Sequence, residues 1–211
     1  MNFGWRFLFS ILVIAVLLGS CNPFESTYQR TKKRELASGV QQDSLFLGFY
    51  LGMTREDFYD RGWEINKQKI AREGQGNANI EYELNEEMKA PATMNFYPRF
   101  HRDRIAVMPV KFMYKSWAPW NQRDYGPIPL EQDVLNLLED WYGAGFFSME
   151  HPEKGEVHVK IDGNRQIRVW KGENDVQVRF EDLTVWDDYK AAERARMQAA
   201  IRKMVEEQGA R

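Results

Sequence analysis

The chain has 211 residues, 43% of them hydrophobic and 28% charged, with 29 Lys and Arg against 31 Asp and Glu. Such a length and composition describe one ordinary globular domain or two small ones, and exclude a disordered or low-complexity chain. The formal net charge of −2 excludes the strong basic field that nucleic acid requires, so no nucleic-acid partner is expected.

The first charged side chain is Arg6, and residues 7–18 (FLFSILVIAVLL) are apolar apart from Ser10. As a helix they rise roughly 18 Å, short of a hydrocarbon core of about 30 Å, which suits the h-region of a signal peptide better than a permanent span. Leu18-Gly19-Ser20-Cys21 comes next, and Cys21 is the only cysteine. With no second thiol there is no internal disulfide, and the domain depends on its core.

The tetrapeptide resembles the bacterial lipobox: an aliphatic residue, two small residues, then the cysteine that receives diacylglycerol. The resemblance implies a signal peptide over residues 1–20 and lipidation of Cys21, with the membrane as a partner through that lipid. A conventional cleaved signal with an incidental cysteine and an uncleaved anchor are the alternatives. Each acyl chain adds about 0.8 kcal/mol per buried CH₂, so the two or three chains of a bacterial lipoprotein anchor stably. Asn22, where Asp favours inner-membrane retention in the familiar sorting rule, agrees with the outer membrane. The expected location is the cell membrane or outer membrane, with the domain facing the periplasm.

Residues 21–44 read as a lipid-anchored tether, polar and poor in apolar periodicity, with a short helix conceivable over 33–37. The basic run Arg30-Thr31-Lys32-Lys33-Arg34 reads as a solvated stretch of it, and less readily as a lipid-headgroup contact. The globular domain is expected over residues 45–211.

Thr54 with Asp57 three residues on has the form of a capping box and predicts a helix through Phe58, Tyr59, Trp63 and Ile65, weakened by Gly62. Period-two alternation predicts strands over 80–84, 93–97 and 107–114, the last with Val110, Phe112 and Tyr114 on one face. Pro109 suits a strand start or edge, and residues 101–104 suit a hairpin connection. Leu130, Val134, Leu137, Leu138 and Trp141 predict an amphipathic helix that Gly143 ends. Strands over 157–161, 165–171 and 175–180 follow, joined by Asp162-Gly163-Asn164 and Gly172-Glu173-Asn174. Asp187 or Asp188 can cap a last helix over 187–208, with Met197, Ile201, Met204 and Val205 as its stripe.

The order is helix, three strands, helix, three strands, helix. It predicts an α+β fold in which tandem α-β-β-β units (residues 47–114 and 129–181) share one antiparallel sheet, followed by a C-terminal helix. Leu51-Gly52-Met53-Thr54 leading into a helix, a meander after it and a lipobox before it together resemble the SmpA/OmlA-type outer-membrane assembly lipoproteins. The tandem arrangement is similar to the β-lactamase-inhibitor-like fold. The Leu-Gly-x-Pro that follows the helix in the former family is replaced here by Trp63-Glu64-Ile65-Asn66. The resemblance implies a non-enzymatic envelope module that binds proteins through its sheet or loops, and transfers no residue-level site.

Chemistry-bearing patterns are sparse. His101, His151 and His158 are the only histidines, and the seven-residue spacing of the last two, broken by Pro152 and Gly155, does not present a ligand pair on a helix. No nucleophile elbow, phosphate loop or dinucleotide fingerprint occurs, and Asp162-Gly163-Asn164 lacks the ligands of a calcium loop. No catalytic residue, cofactor or metal is therefore expected. The segment that stands out is 116–129 (SWAPWNQRDYGPIP): rigid aromatic loops provide contact area at low entropic cost, so Trp117, Trp120 and Tyr125 are candidate interaction residues. They can equally pack beneath the loop. The expected function is a lipid-anchored, non-enzymatic binding or scaffold module with an envelope protein partner. A small-ligand or glycan binder is the next reading, and an enzyme with an unrecognised carboxylate site the third.

Overall fold

The computed structural model describes residues 23–74 and 79–209; Cys21 and the leader lie outside the described residues. In chain order the elements are α1 (Pro23–Ser38), α2 (Arg55–Lys67), β1 (Ala71–Glu73), β2 (Ile80–Leu84), β3 (Ala92–Phe96), β4 (Arg99–His101), β5 (Arg104–Tyr114), α3 (Gln122–Tyr125), α4 (Pro127–Tyr142), β6 (Phe147–His151), β7 (Gly155–Asp162), β8 (Arg165–Lys171), β9 (Val176–Asp182) and α5 (Trp186–Gly209). The strands form one antiparallel sheet in the order β1-β2-β3-β5-β9-β8-β7-β6, with β4 paired to β5. The α+β class, shared sheet and C-terminal helix are as expected. The order runs forward through the first repeat and backward through the second, so the last strand of each, β5 and β9, meet at the centre with Val110 opposite Val178.

Each repeat holds more than the three strands expected. β1 and β4 are three residues long, and β6 (FSMEH) has no clear alternation, so none leaves a period-two trace. The 101–104 segment does turn: Arg102 and Asp103 take positive φ of 47° and 61°, the backbone twist a tight hairpin needs. Pro109, expected at a strand start or edge, lies inside a central strand. It is tolerated because β5 changes partner there, from β3 (ending at Val110 opposite Phe96) to β4 (resuming at Val107 opposite Arg99).

One face of the sheet carries the main core. Alternating residues of β3, β5, β8 and β9 (Met94, Phe96, Met108, Val110, Phe112, Ile167, Val169, Val178, Phe180) are buried against Phe58 and Ile65 of α2 and Leu130, Val134 and Leu138 of α4. Thr54 caps α2 as its spacing predicts, accepting a hydrogen bond from the Asp57 N–H at 3.1 Å. Phe46 ties the two repeats together, its ring 4.8 Å from Phe96 and 5.7 Å from Phe180.

The tether expected over residues 21–44 is corrected from residue 23 onward. α1 lies against β6 and β7, and Tyr28 packs with Val157, Val159 and Ile161. Glu35 Oε2 accepts from Gly163 N–H at 3.2 Å, the Gln42 N–H donates to Asn164 Oδ1 at 2.6 Å, and Asn164 Nδ2 donates to Asp43 Oδ1 at 2.7 Å. Among the described side chains, docking rests on the Tyr28 ring and a few polar bonds, which leave no apolar periodicity to read, so the segment looks like a linker. The 116–129 connection is shorter than expected: α3 forms within it, and α4 already starts at Pro127, whose missing N–H costs nothing at the first helical position. On α5 the stripe Met197, Ile201, Met204 and Val205 is exposed rather than packed. Among the described residues no helix is long and apolar enough to cross a membrane.

Candidate functional site

Period-two geometry gives the sheet a second face, opposite α2 and α4. The cross-strand registers place Glu81, Asn95, Lys111 and Gln177 in one row across it, and Glu83, Thr93 and Met113 in the next. Over β7, β8 and the end of β9 this face is covered by α1 and the start of α5; over β1, β2, β3 and the adjoining parts of β5 and β9 no described element covers it.

The covered half holds a charged cluster. Glu181 is wholly buried, ion-paired to Arg168 and, at 2.6 Å, to Nε of Arg179, while Gln166 donates to its other oxygen. Both guanidinium groups lie 5.5 Å from the Trp186 ring, which roofs them. Tyr28 of α1 closes the cluster from above, and burial pushes its phenol above the ordinary value. Lys154, on the β6–β7 turn, sets its ammonium 3.2 Å over the Trp170 ring; burial, aided by Arg179 and Arg168, pulls the amine down to about 8.

The open half forms a furrow of about 560 Å³ lined by Arg72, Glu83, Asn95, Lys111, Lys115 and Trp117, among others. Its charges are paired at the surface: Arg72 with Glu81 at 2.5 Å and Glu83 at 3.0 Å, Lys115 with Glu83 at 2.7 Å, and Lys111 with Asp175 at 2.9 Å. The Lys115 ammonium beside Glu83 holds that carboxyl below the usual carboxylate range. Arg72 and Lys115 keep contact with water, so the pairs they make with Glu83 are weak and a partner's charges can replace them. Chemically the furrow is a set of donors, acceptors and charges of both signs on a rigid sheet, suited to holding another polypeptide.

The three aromatic candidates do not act together. Trp120 is 86% exposed. Trp117 is partly buried at one end of the furrow, packed against the core, and its indole N–H has no partner among the described residues. Tyr125 packs edge-on to Tyr114 with ring centroids 5.8 Å apart. A three-ring anchor on the 116–129 connection is thereby reduced to a single projecting ring, because α3 turns Tyr125 inward. Sequence reading missed Arg72, since β1 is too short to detect. Asn95, Lys111 and Gln177 were legible as the polar alternates of predicted strands.

The histidines fall elsewhere. His158 Nδ1 lies 3.0 Å from Ser148 Oγ, its cross-strand neighbour, and its Nε2 is 3.7 Å from Glu131, a carboxylate that Lys171 holds at 2.6 Å. His101 stacks edge-on with Tyr189. Among the described residues no three His, Cys, Asp or Glu side chains are grouped so as to hold a metal ion. No family model, curated protein or solved structure matches this chain.

Proposed function

We propose that this protein is a lipid-anchored, non-enzymatic module of the bacterial cell envelope that holds a protein partner on the open half of its sheet. The observation that carries the binding reading is the asymmetry of that sheet. One face is sealed by α2 and α4, whereas half of the other presents a polar, easily exchanged surface with Trp117 at its end and no element of the described chain over it. The anchor rests on the apolar leader ending in Leu18-Gly19-Ser20-Cys21.

The two halves of the reading support each other geometrically. α1 begins two residues after Cys21 and docks on β6 and β7, so acylation of Cys21 leaves no long flexible leash. At about 1.5 Å per residue, α1 spans roughly 24 Å and holds the domain beside the bilayer.

Two measurements test this. Intact mass of the protein from its native membrane should match residues 21–211 plus acyl groups, and a Cys21→Ala variant should lack them; an unmodified full-length chain refutes the anchor. Photocrosslinkers at Lys111 and Gln177 in intact cells should capture one defined envelope protein that crosslinkers at exposed positions on α2 do not. Repeated failure to capture any partner from the furrow refutes the binding surface.

A further inference from the structure

On the other side of the first repeat, α2 and the β1–β2 edge leave a second cleft of about 620 Å³, within the range of small-molecule sites. Aromatic side chains dominate it. Trp63 is 68% exposed and Tyr59 50% exposed, although helical spacing predicts both as contributors of apolar contacts. The Tyr59 and Tyr97 hydroxyls lie 2.7 Å apart, and Tyr97 is braced edge-on at 5.6 Å by the buried Phe58, which contributes to the lining without opening a deep apolar hole. Tyr59 and Tyr97 are thus held in place, while Tyr59 and Trp63 present ring surface to solvent.

Around them stand Asp60, Asn66 and Glu73, none of which makes a side-chain hydrogen bond or ion pair to any described residue. Carboxylates accept hydrogen bonds only, and an amide both accepts and donates, so the cleft asks for a ligand rich in hydroxyl donors. A cationic ligand would meet the two carboxylates, but on Trp63 it would compete with the Lys67 ammonium, which already lies 5.0 Å over that ring. An anionic ligand is disfavoured by the two unpaired carboxylates, and Arg72 is already engaged by Glu81 and Glu83. An uncharged ring with apolar C–H faces and hydroxyls around its edge satisfies both the aromatic surface and the acceptors.

We infer that this cleft binds the pyranose rings of a glycan, with Trp63 and Tyr59 stacking on sugar faces and Asp60, Asn66 and Glu73 accepting from hydroxyls. The cleft meets the sheet furrow at Arg72 and Asn79, which line both, but the stacking rings and the acceptors named here do not line the furrow. The test titrates the full chain in detergent micelles with N,N′-diacetylchitobiose and with maltotriose, read by calorimetry and saturation-transfer NMR. Expected is millimolar or tighter binding of at least one sugar, weakened about tenfold or more by Trp63→Ala, equivalent to about 1.4 kcal/mol. Asn66→Ala should weaken the same sugar, which keeps the test valid if Trp63→Ala folds poorly, and Trp120→Ala should have no effect. Binding of neither sugar, binding indifferent to both cleft variants, equal loss with Trp120→Ala, or binding of choline in place of the sugars would each overturn the assignment.

Discussion

Glu181 and Arg179 stand two residues apart on β9, so their side chains share one face of the sheet, where the wholly buried carboxylate meets Nε of the arginine at 2.6 Å. Arg168, across the strand pair, completes the contact. This places an ionic group at the heart of the covered half-face, under Tyr28 and Trp186. Removing the carboxylate leaves two largely buried guanidinium groups without their counter-charge, a change that typically costs about 3–5 kcal/mol. Glu181→Ala should therefore lower the unfolding free energy measured in urea by an amount in that range. A loss below about 1 kcal/mol would mean the arginines escape to water past Trp186.

Gly163 links α1 to the domain. Its φ is +58°, and a Cβ there would lie 2.3 Å from the carbonyl oxygen of Val40. Gly163→Ala should lift residues 35–43 off the β7–β8 turn, raising amide exchange in that segment and costing about 1–3 kcal/mol. Unchanged exchange over 35–43 would show that this segment is not held by the turn.

The Lys154 amine, ordinarily near 10.5, is drawn down to about 8 in the folded chain. Below pH 8 the folded state must keep this group charged against its burial, while the unfolded state charges it freely. That cost is full below pH 8 and fades as the pH rises toward 10.5, so this residue's contribution favours the folded state increasingly across that window. NMR of the ε-carbon should give a midpoint near 8, and Lys154 should be acylated ahead of the exposed lysines at mildly alkaline pH. A midpoint at the ordinary lysine value would contradict the burial argument.

Trp117 and Trp120 should separate cleanly in thermal unfolding. Trp120 projects into solvent, and Trp120→Ala should change stability by less than about 0.5 kcal/mol. Trp117 packs against the core, and Trp117→Ala should cost about 1–3 kcal/mol. If the furrow binds a partner, Trp117→Phe should weaken its capture while keeping most of the stability; equal thermal losses for the two alanine variants would contradict the packing described.

The architecture was legible where burial is one-sided. Val110, Phe112 and Tyr114, or Val176, Val178 and Phe180, alternate with polar residues because at these positions one face of the sheet packs on α2 and α4 while the other carries polar side chains. The capping of α2 by Thr54 and the end of α4 at Gly143 were local matters of backbone groups seeking partners, so they too could be read along the chain. β1, β4 and β6 were not, since short strands exist only by pairing with a neighbour. The candidate sites were legible in part: Asn95, Lys111 and Gln177 announce an outward-facing row, but nothing local says whether a helix covers it.

By itself, then, the sequence determined the α+β class, the doubled order of helix and meander and, with a single cysteine, the absence of an internal disulfide, because periodicity, caps and cysteine count are properties of neighbours along the chain. Only the tertiary structure decided that α1 is docked rather than a tether, that Trp63 is exposed while Trp117 is packed, and that Glu181, Arg168 and Arg179 converge under Trp186. Those outcomes depend on which surfaces meet across the fold, where residues such as Gln42 and Asn164, distant in sequence, satisfy each other's hydrogen bonds.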